Sequence, residues 1–333
     1  MKARIYKRIS AIPARGESIK TAAITNERGV ALIVVILAIS IIVALTIQLN
    51  RDMRAQMYAA ANLSDQTRLR YVAESGIYAA QALLLADKNG FDALTEDWAN
   101  TEMVSLKSEE FFDNASFKLT IEDEGGKINI NKVVAGNAYN VPVREMLLRL
   151  LTGPSFRLEE ASAGEILDSI KDWIDGDDDA SGKGSEEGAK NGALDCIEEL
   201  LMIKGVSREV FYGSEAIYGL SRCLTVFGDG KININTAPRP VLLALSAQMT
   251  GEAVEALDAY RRDEKNSVAD VGWVQGVPEA TGLNIPVGSL TVKSDIFQIK
   301  AVGVQGRMKR QIDAVVSRDA GRTKISTLSW KVE

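Results

Sequence analysis

The sequence contains no histidine and only two cysteines, Cys196 and Cys223, in 333 residues. The lack of histidine excludes Ser-His-Asp and Cys-His triads, imidazole general acids or bases, and zinc sites built on imidazole. Two cysteines exclude a four-cysteine metal site and a cysteine-rich scaffold; they allow one disulfide or two separate thiols. Paired carboxylates occur, but no Lys, Tyr or Ser beside them suggests an activated nucleophile, so no enzyme is expected. Residues 51–88 lack proline, and Gly76 is their only glycine. With 46% hydrophobic and 25% charged residues the chain is not disordered.

Charge is uneven along the chain. Residues 1–29 carry seven Lys or Arg against Glu17 and Glu27, a local balance of +5 that leaves −11 on the remainder. Eighteen residues, Val30 to Ile47, then run without a charge, with only Ser40 and Thr46 as polar interruptions. Extended by Gln48 and Leu49, they reach the ~20 residues that cross ~30 Å of hydrocarbon as a helix. The basic excess before the span predicts a single-pass protein with a cytoplasmic N-terminus and an exported acidic body. No small-x-small cleavage site follows the span, where Asn50, Arg51 and Asp52 come next.

Past the span, Met53, Met57, Ala60 and Leu63, then Ala73, Ile77, Ala80 and Leu84, recur at helical intervals. A continuous helix over 30–88 is about 90 Å long at ~1.5 Å per residue. Alternation around Phe117, Leu119 and Ile121, then Ile128 and Ile130, predicts a hairpin turning at Glu124-Gly125-Gly126. Segments 296–302 and 310–316 read as paired strands around Gln305-Gly306-Arg307. Between them lie helical patterns at Val143–Leu151, Ala163–Ile174, Ile197–Ile203, Val241–Ala247 and Ala253–Arg262. The hexapeptide Gly-Lys-Ile-Asn-Ile-Asn occurs twice, at 126–131 and 230–235, each followed by a proline (Pro142, Pro238) and an apolar helix. Its isoleucines are expected in a core and its asparagines bonded to backbone at a strand end.

Two sets of residues carry a family resemblance. The charges that stop at Arg28, the single Gly29 and the apolar run from Val30 resemble the class III leader of type IV pilins and type II secretion pseudopilins. Within the body, ININTAPRPVLLAL, DWIDGDDD, EELLMIKGVSREVF and the terminal TLSWKVE together resemble the K-type minor pseudopilins of type II secretion, the general secretion pathway protein K family. The resemblance implies cleavage by a prepilin peptidase between Gly29 and Val30, with Val30 the methylated first mature residue. It also implies a role for Val34. Most such proteins carry glutamate at this fifth mature position, to meet the amine of a neighbouring subunit, and a subunit lacking it suits the filament tip.

The fold so implied is α+β: a long N-terminal helix packed on a small antiparallel sheet, with a large helical insertion. The corresponding organisation is a leader over 1–29, a transmembrane part over 30–50, the exported helix over 51–88, strands over 89–131, a helical domain over 132–290, and C-terminal strands over 291–333. Implied partners are the I- and J-type minor pseudopilins, the major pseudopilin, the prepilin peptidase and the inner-membrane secretion platform.

Residues 172–187 form an acidic loop. Calcium takes six to eight oxygens, and counting Asp175 as position 1 of an EF-hand loop places Asp177, Asp179, Ser181 and Glu186 at ligand positions. Asp178 and Glu187 are further candidates; Asp172 is expected to cap or pair locally. Ala180 stands where the EF-hand turn needs glycine, and the bland reading is a solvated acidic loop. The family resemblance also implies structural calcium. In an oxidising compartment Cys196 and Cys223 are expected as a disulfide rather than two thiols, adding ~3 kcal/mol or somewhat more.

Two other functions fit parts of the sequence. Residues 232–277 resemble helix-hairpin-helix modules of DNA-uptake receptors, yet the turn Ala247-Gln248-Met249-Thr250-Gly251 lacks paired glycines and the body at −11 opposes nucleic-acid binding. A minor type IV pilin would share the N-terminus; only the body motifs favour secretion.

Overall fold

The computed structural model describes residues 27–177, 179, 181, 188–214 and 218–333. Two compact units divide the chain, one ending at Leu63 and one spanning Ser64–Glu333. Helix α1, Glu27–Ala86, begins in the first and ends in the second.

In the second unit α1 buries Leu69, Val72, Ala73, Ile77, Ala80 and Leu84, the one stripe its spacing creates. The stripe packs on a four-stranded antiparallel sheet. Its strands are β1 (Ser116–Asp123) and three more from the C-terminal end of the chain. Strand β1 alternates Phe117, Leu119 and Ile121 toward the helix. A Cβ on Gly303, in the neighbouring strand, would collide with the Leu69 carbonyl oxygen; the helix lies that close to the sheet.

Between Ala86 and β1 the chain forms helix α2 (Glu102–Lys107) and a 3-10 turn at Ser108–Glu110, where strands were expected. Next comes the first hexapeptide copy, with β2 (Ile128–Asn129), the small ribbon β3 (Val134–Ala135) and β4 (Ala138–Tyr139), then helices α3 (Val141–Thr152) and α4 (Glu160–Ile174). A 3-10 segment Ile197–Met202 and helix α5 (Arg208–Tyr212) precede β5 (Leu224–Thr225).

The second copy repeats the plan. Strand β6 (Ile232–Asn233) leads into α6 (Arg239–Ala244) and α7 (Gly251–Arg262), then 3-10 turns, then β7 (Leu290–Thr291). In each copy the Ile-Asn pair joins a Leu-Thr pair in parallel: Ile128 with Leu224, and Ile232 with Leu290. The two repeats share one core, in which Ile128, Ile130, Ile232 and Ile234 are buried. The chain then returns to the sheet as β8 (Ile296–Gln305), β9 (Met308–Arg318) and β10 (Ile325–Val332), in the order β1-β8-β9-β10.

The expected hairpin at Glu124-Gly125-Gly126 does not form. Strand β1 pairs with β8, while Ile128–Asn129 pairs with β5, so the glycines end one sheet and start the helical insertion. A Cβ on Gly126 would lie 2.7 Å from Thr236 Oγ1 and 2.9 Å from the Ala237 nitrogen. The glycines serve close approach of the two repeats rather than a reversal of the chain.

Candidate functional site

Three places in the sequence were expected to carry function: the apolar helix, the acidic loop and the cysteine pair. In the first unit, residues 30–49 of α1 expose their large apolar side chains, Val30 at 63% and Val34 at 57%. The segment is long and apolar enough to cross a membrane. Its two hydroxyls are satisfied within the helix, Ser40 donating to the Ile36 carbonyl at 2.8 Å and Thr46 to that of Ile42 at 2.7 Å. Hydrocarbon offers no other acceptor, so this arrangement suits a helix surrounded by lipid. Gly29 and Val30 both lie within the helix; residues 1–26 fall outside the described residues.

The acidic loop leaves α4 at Ile174. Asp172 is fully buried; its Oδ1 accepts from the Ser181 amide at 2.8 Å, and Oδ2 has no partner among the described residues. Asp175 is also buried, its Oδ2 joined to the Lys171 ammonium and its Oδ1 without a partner among the described residues. Lys171 also donates to Ser181 Oγ at 2.7 Å. Burial alone would lower the Lys171 ammonium, but the hydrogen bond and charge of Asp175 hold it above its usual range. Asp177 and Asp179 lie farther out, with the Asp179 amide donating to Asp177 Oδ1 at 3.1 Å. Asp178, Glu186 and Glu187 fall outside the described residues.

Two buried carboxylate oxygens without donors are expensive unless a cation meets them. Asp172 and Asp175 thus bring two carboxylate oxygens of the kind a hard divalent ion takes to the base of the loop. Asp172, expected to cap or pair locally, does pair with Ser181, and its second oxygen has no partner among the described residues. The sequence signal was its three-residue spacing from Asp175 across the last turn of α4, which puts both carboxyls on one side.

A second acidic group was not anticipated. Asp87, Asp92 and Glu96 bring ligand oxygens within 4.8 Å of one another and could hold a metal ion. Arginines already serve two of them: Arg318 and Arg322 each pair with both Asp87 and Asp92. Glu96 instead accepts from the Ala93 amide at 2.8 Å and from Trp98 Nε1 at 2.9 Å. The three acidic residues lie within ten positions, but the arginines that neutralise them come more than 220 positions later, so no local motif announces the cluster.

Next to this cluster Asp123 is buried without a cation. Its Oδ2 accepts from Thr236 Oγ1 at 2.5 Å, Ser294 Oγ at 2.6 Å and Asn233 Nδ2 at 3.0 Å, and its Oδ1 from the Gly125 amide at 2.7 Å. Burial raises the Asp123 carboxyl to about 6, with these hydrogen bonds opposing the rise. Asn233, from the second hexapeptide, also reaches the Asp92 carbonyl at 3.1 Å, and Asn235 holds the Val268 carbonyl at 3.0 Å. Asn129 and Asn131 bond the carbonyls of Phe227 and Leu194 in the first copy. The asparagines thus act on backbone, as their spacing predicts.

The cysteines are not joined. Cys223 is fully buried in the helical core, and Cys196 is exposed at the start of a 3-10 segment; both thiols are free. Burial pushes the Cys223 thiol up to about 12.

The turn from Leu245 to Thr250 does join two helices, α6 and α7. Yet the nearby guanidinium groups of Arg239, Arg261 and Arg262 all converge on Asp258, at 3.1, 2.7 and 3.2 Å. Arg261 is buried, and Arg239 and Arg262, though more than half exposed, share the same carboxylate, which offsets part of the positive charge a phosphate would meet.

Comparison with known proteins agrees with this architecture. Residues 126–213, which hold the first repeat up to α5, match the family described as Type II secretion system (T2SS), protein K. A protein of Pseudomonas aeruginosa named Type II secretion system protein K is 26% identical over 269 residues, covering 74% of this chain and 76% of that one. The fold resembles a chain in the crystal structure of the GspK-GspI-GspJ complex from the enterotoxigenic Escherichia coli Type 2 Secretion System. The TM-score is 0.64 at 15% identity, over 82% of this chain and 99% of that one. In sequence over residues 126–213 and in fold over most of its length, the chain is similar to the K-type proteins of type II secretion.

Proposed function

We propose that this non-enzymatic subunit starts or caps the tip of a periplasmic pseudopilus and so supports export of folded proteins across the outer membrane. The reading rests on one observation above others: Val34, an apolar residue on an exposed apolar helix, stands where most pilin-like chains carry glutamate. A subunit without that carboxylate has no partner for the amine of an earlier subunit. It is suited to the one place where none exists. In this reading the helical insertion, with its two repeats between β1 and β8, is the bulk that closes the tip to a further subunit.

In this reading prepilin peptidase removes residues 1–29, and Val30 is methylated. The apolar helix waits in the inner membrane until I- and J-type minor pseudopilins pack along it. Growth of the major pseudopilin from the secretion platform then carries the tip outward. Calcium in the 172–187 loop has a structural part: Asp172 and Asp175 hold it from within, Asp177, Asp179 and Ser181 from the loop, with Asp178, Glu186 and Glu187 as further candidates.

The test is complementation. In a strain lacking its own K-type subunit, the full chain restores export, whereas a chain whose insertion 124–291 is replaced by a short linker does not. Normal export with the linker variant would contradict the tip role.

A further inference from the structure

Helix α2 and the 3-10 turn after it wall an apolar groove of about 400 Å³ against the later part of α1. Its floor is formed by Ser75 and Ala79, small residues one helical turn apart; its wall is Phe111 and Phe112. Lys107 is the one charged side chain lining it.

The wall is held firmly. Thr101 Oγ1 donates to the Leu119 carbonyl, Ser105 Oγ accepts from the Leu119 amide at 3.0 Å, and Ser108 Oγ accepts from the Phe117 amide at 3.0 Å. Arg68 on α1 ties down the far end through the Asp113 carbonyl. These bonds occupy the outer edge of β1, so the segment is fixed to sheet and helix alike. Phe111 nevertheless points away from the core and is 77% exposed. Tyr71 and Tyr78, on the Ser75 face of α1, are 64% and 59% exposed. At about 200 Å² per ring, the three expose on the order of 400 Å². Together that is about half of the ~800 Å² a standard interface needs from each partner. A flexible loop could bury such a phenylalanine; a braced one keeps it ready.

We infer that this groove receives a helix of another pilin-like subunit, which places a bulky apolar residue between Ala79 and Phe111 and a carboxylate against Lys107. The occupant follows from three features. The floor is narrow and small-sided, which lets a second helix approach closely. The lining is apolar, which excludes a charged or extended polar peptide. Lys107 has no carboxylate partner among the described residues, so the incoming helix supplies one. The inference rests on the function proposed above, since it gives that assembly a contact surface.

The experiment uses full-length proteins. The chain is co-expressed with I- and J-type minor pseudopilins, extracted in detergent and assayed for co-purification, alongside Phe111→Asp, Lys107→Glu and, as a control, Met202→Asp on an exposed part of the helical insertion. Thermal unfolding of each variant shows whether it is folded; none of the three sites is buried, so all are expected to be. The groove predicts at least tenfold less partner recovered with Phe111→Asp, a smaller loss with Lys107→Glu, and none with Met202→Asp. Equal recovery with all variants overturns the groove and leaves the tip function standing. No recovery even with the wild-type chain overturns the assembly reading itself, and the groove's occupant with it.

Discussion

Arg318, at the end of β9, is buried with its guanidinium on the carboxylate of Asp92, itself fully buried and 226 residues earlier. Arg318 also reaches the Leu84 carbonyl at 3.0 Å and the Ser294 carbonyl at 3.0 Å. One side chain thus joins the end of α1, the segment after it, and the stretch by which the chain returns from the helical insertion to the sheet. The pair does not stabilise by charge alone, since burial raises the Asp92 carboxyl even against two arginines. Its value lies in the damage done by removing one member.

Arg318→Met leaves Asp92 with a buried charge that Arg322 only partly meets. Loss of one member of such a pair costs about 3–5 kcal/mol, which for a body of this size lowers Tm by roughly 10 °C. Calorimetry on the purified chain checks this. A shift within 1–2 °C would mean the cluster is not structural.

The neighbouring Asp123 sets a pH dependence of known sign. Its folded carboxyl lies near 6, above the ordinary value of 3.8, because burial favours the neutral form. Between about 4 and 6 the folded state therefore binds more protons than the unfolded chain, and this group's stabilisation is full below that window and lost as pH rises through it. Urea unfolding midpoints should fall from pH 4.5 to 6.5 more steeply in the wild type than in Asp123→Asn. Identical slopes would contradict the assignment.

Much of this fold was legible, and the parts that were not share a cause. Helix α1 and strands β8 and β9 follow from local periodicity, because each buries one face against a single layer. The repeated Gly-Lys-Ile-Asn-Ile-Asn announced two equivalent units. The glycine pair 125–126 was misread because close approach of Thr236 and a reversal of the chain place the same demand on a residue. Strand β10 was expected only as part of the C-terminal strands, without its own bounds: most of its residues are exposed, so no alternation marks it. The acidic loop was found, but its most buried carboxyl, Asp172, was ranked below the exposed aspartates because burial is not written in spacing. The groove at Phe111 was missed entirely: its aromatic residues look like core until the packing shows otherwise.

Calcium provides a direct check on the loop. Adding it at a hundredfold excess over its dissociation constant should stabilise the chain by about 2.7 kcal/mol, and chelation should remove the effect. Asp172→Asn with Asp175→Asn should abolish both responses, whereas Asp177→Asn should only weaken them. Unchanged stability with and without calcium in the wild type would leave the loop as a solvated one.

Thiol labelling separates the cysteines. Cys196 should react with a maleimide in the native chain and Cys223 only after unfolding, as expected from their exposure. A reducing agent should leave Tm unchanged. Recovery of a Cys196–Cys223 linked peptide from the native protein would contradict the free thiols.

The membrane end bears most directly on the central claim. Intact mass and N-terminal sequencing of the chain from membranes, with and without a prepilin peptidase, decide where it begins. A chain starting at methylated Val30 only when the peptidase is present is the predicted result. A chain starting at Met1 in both preparations would make this a plain signal-anchored protein and would contradict the pseudopilin account.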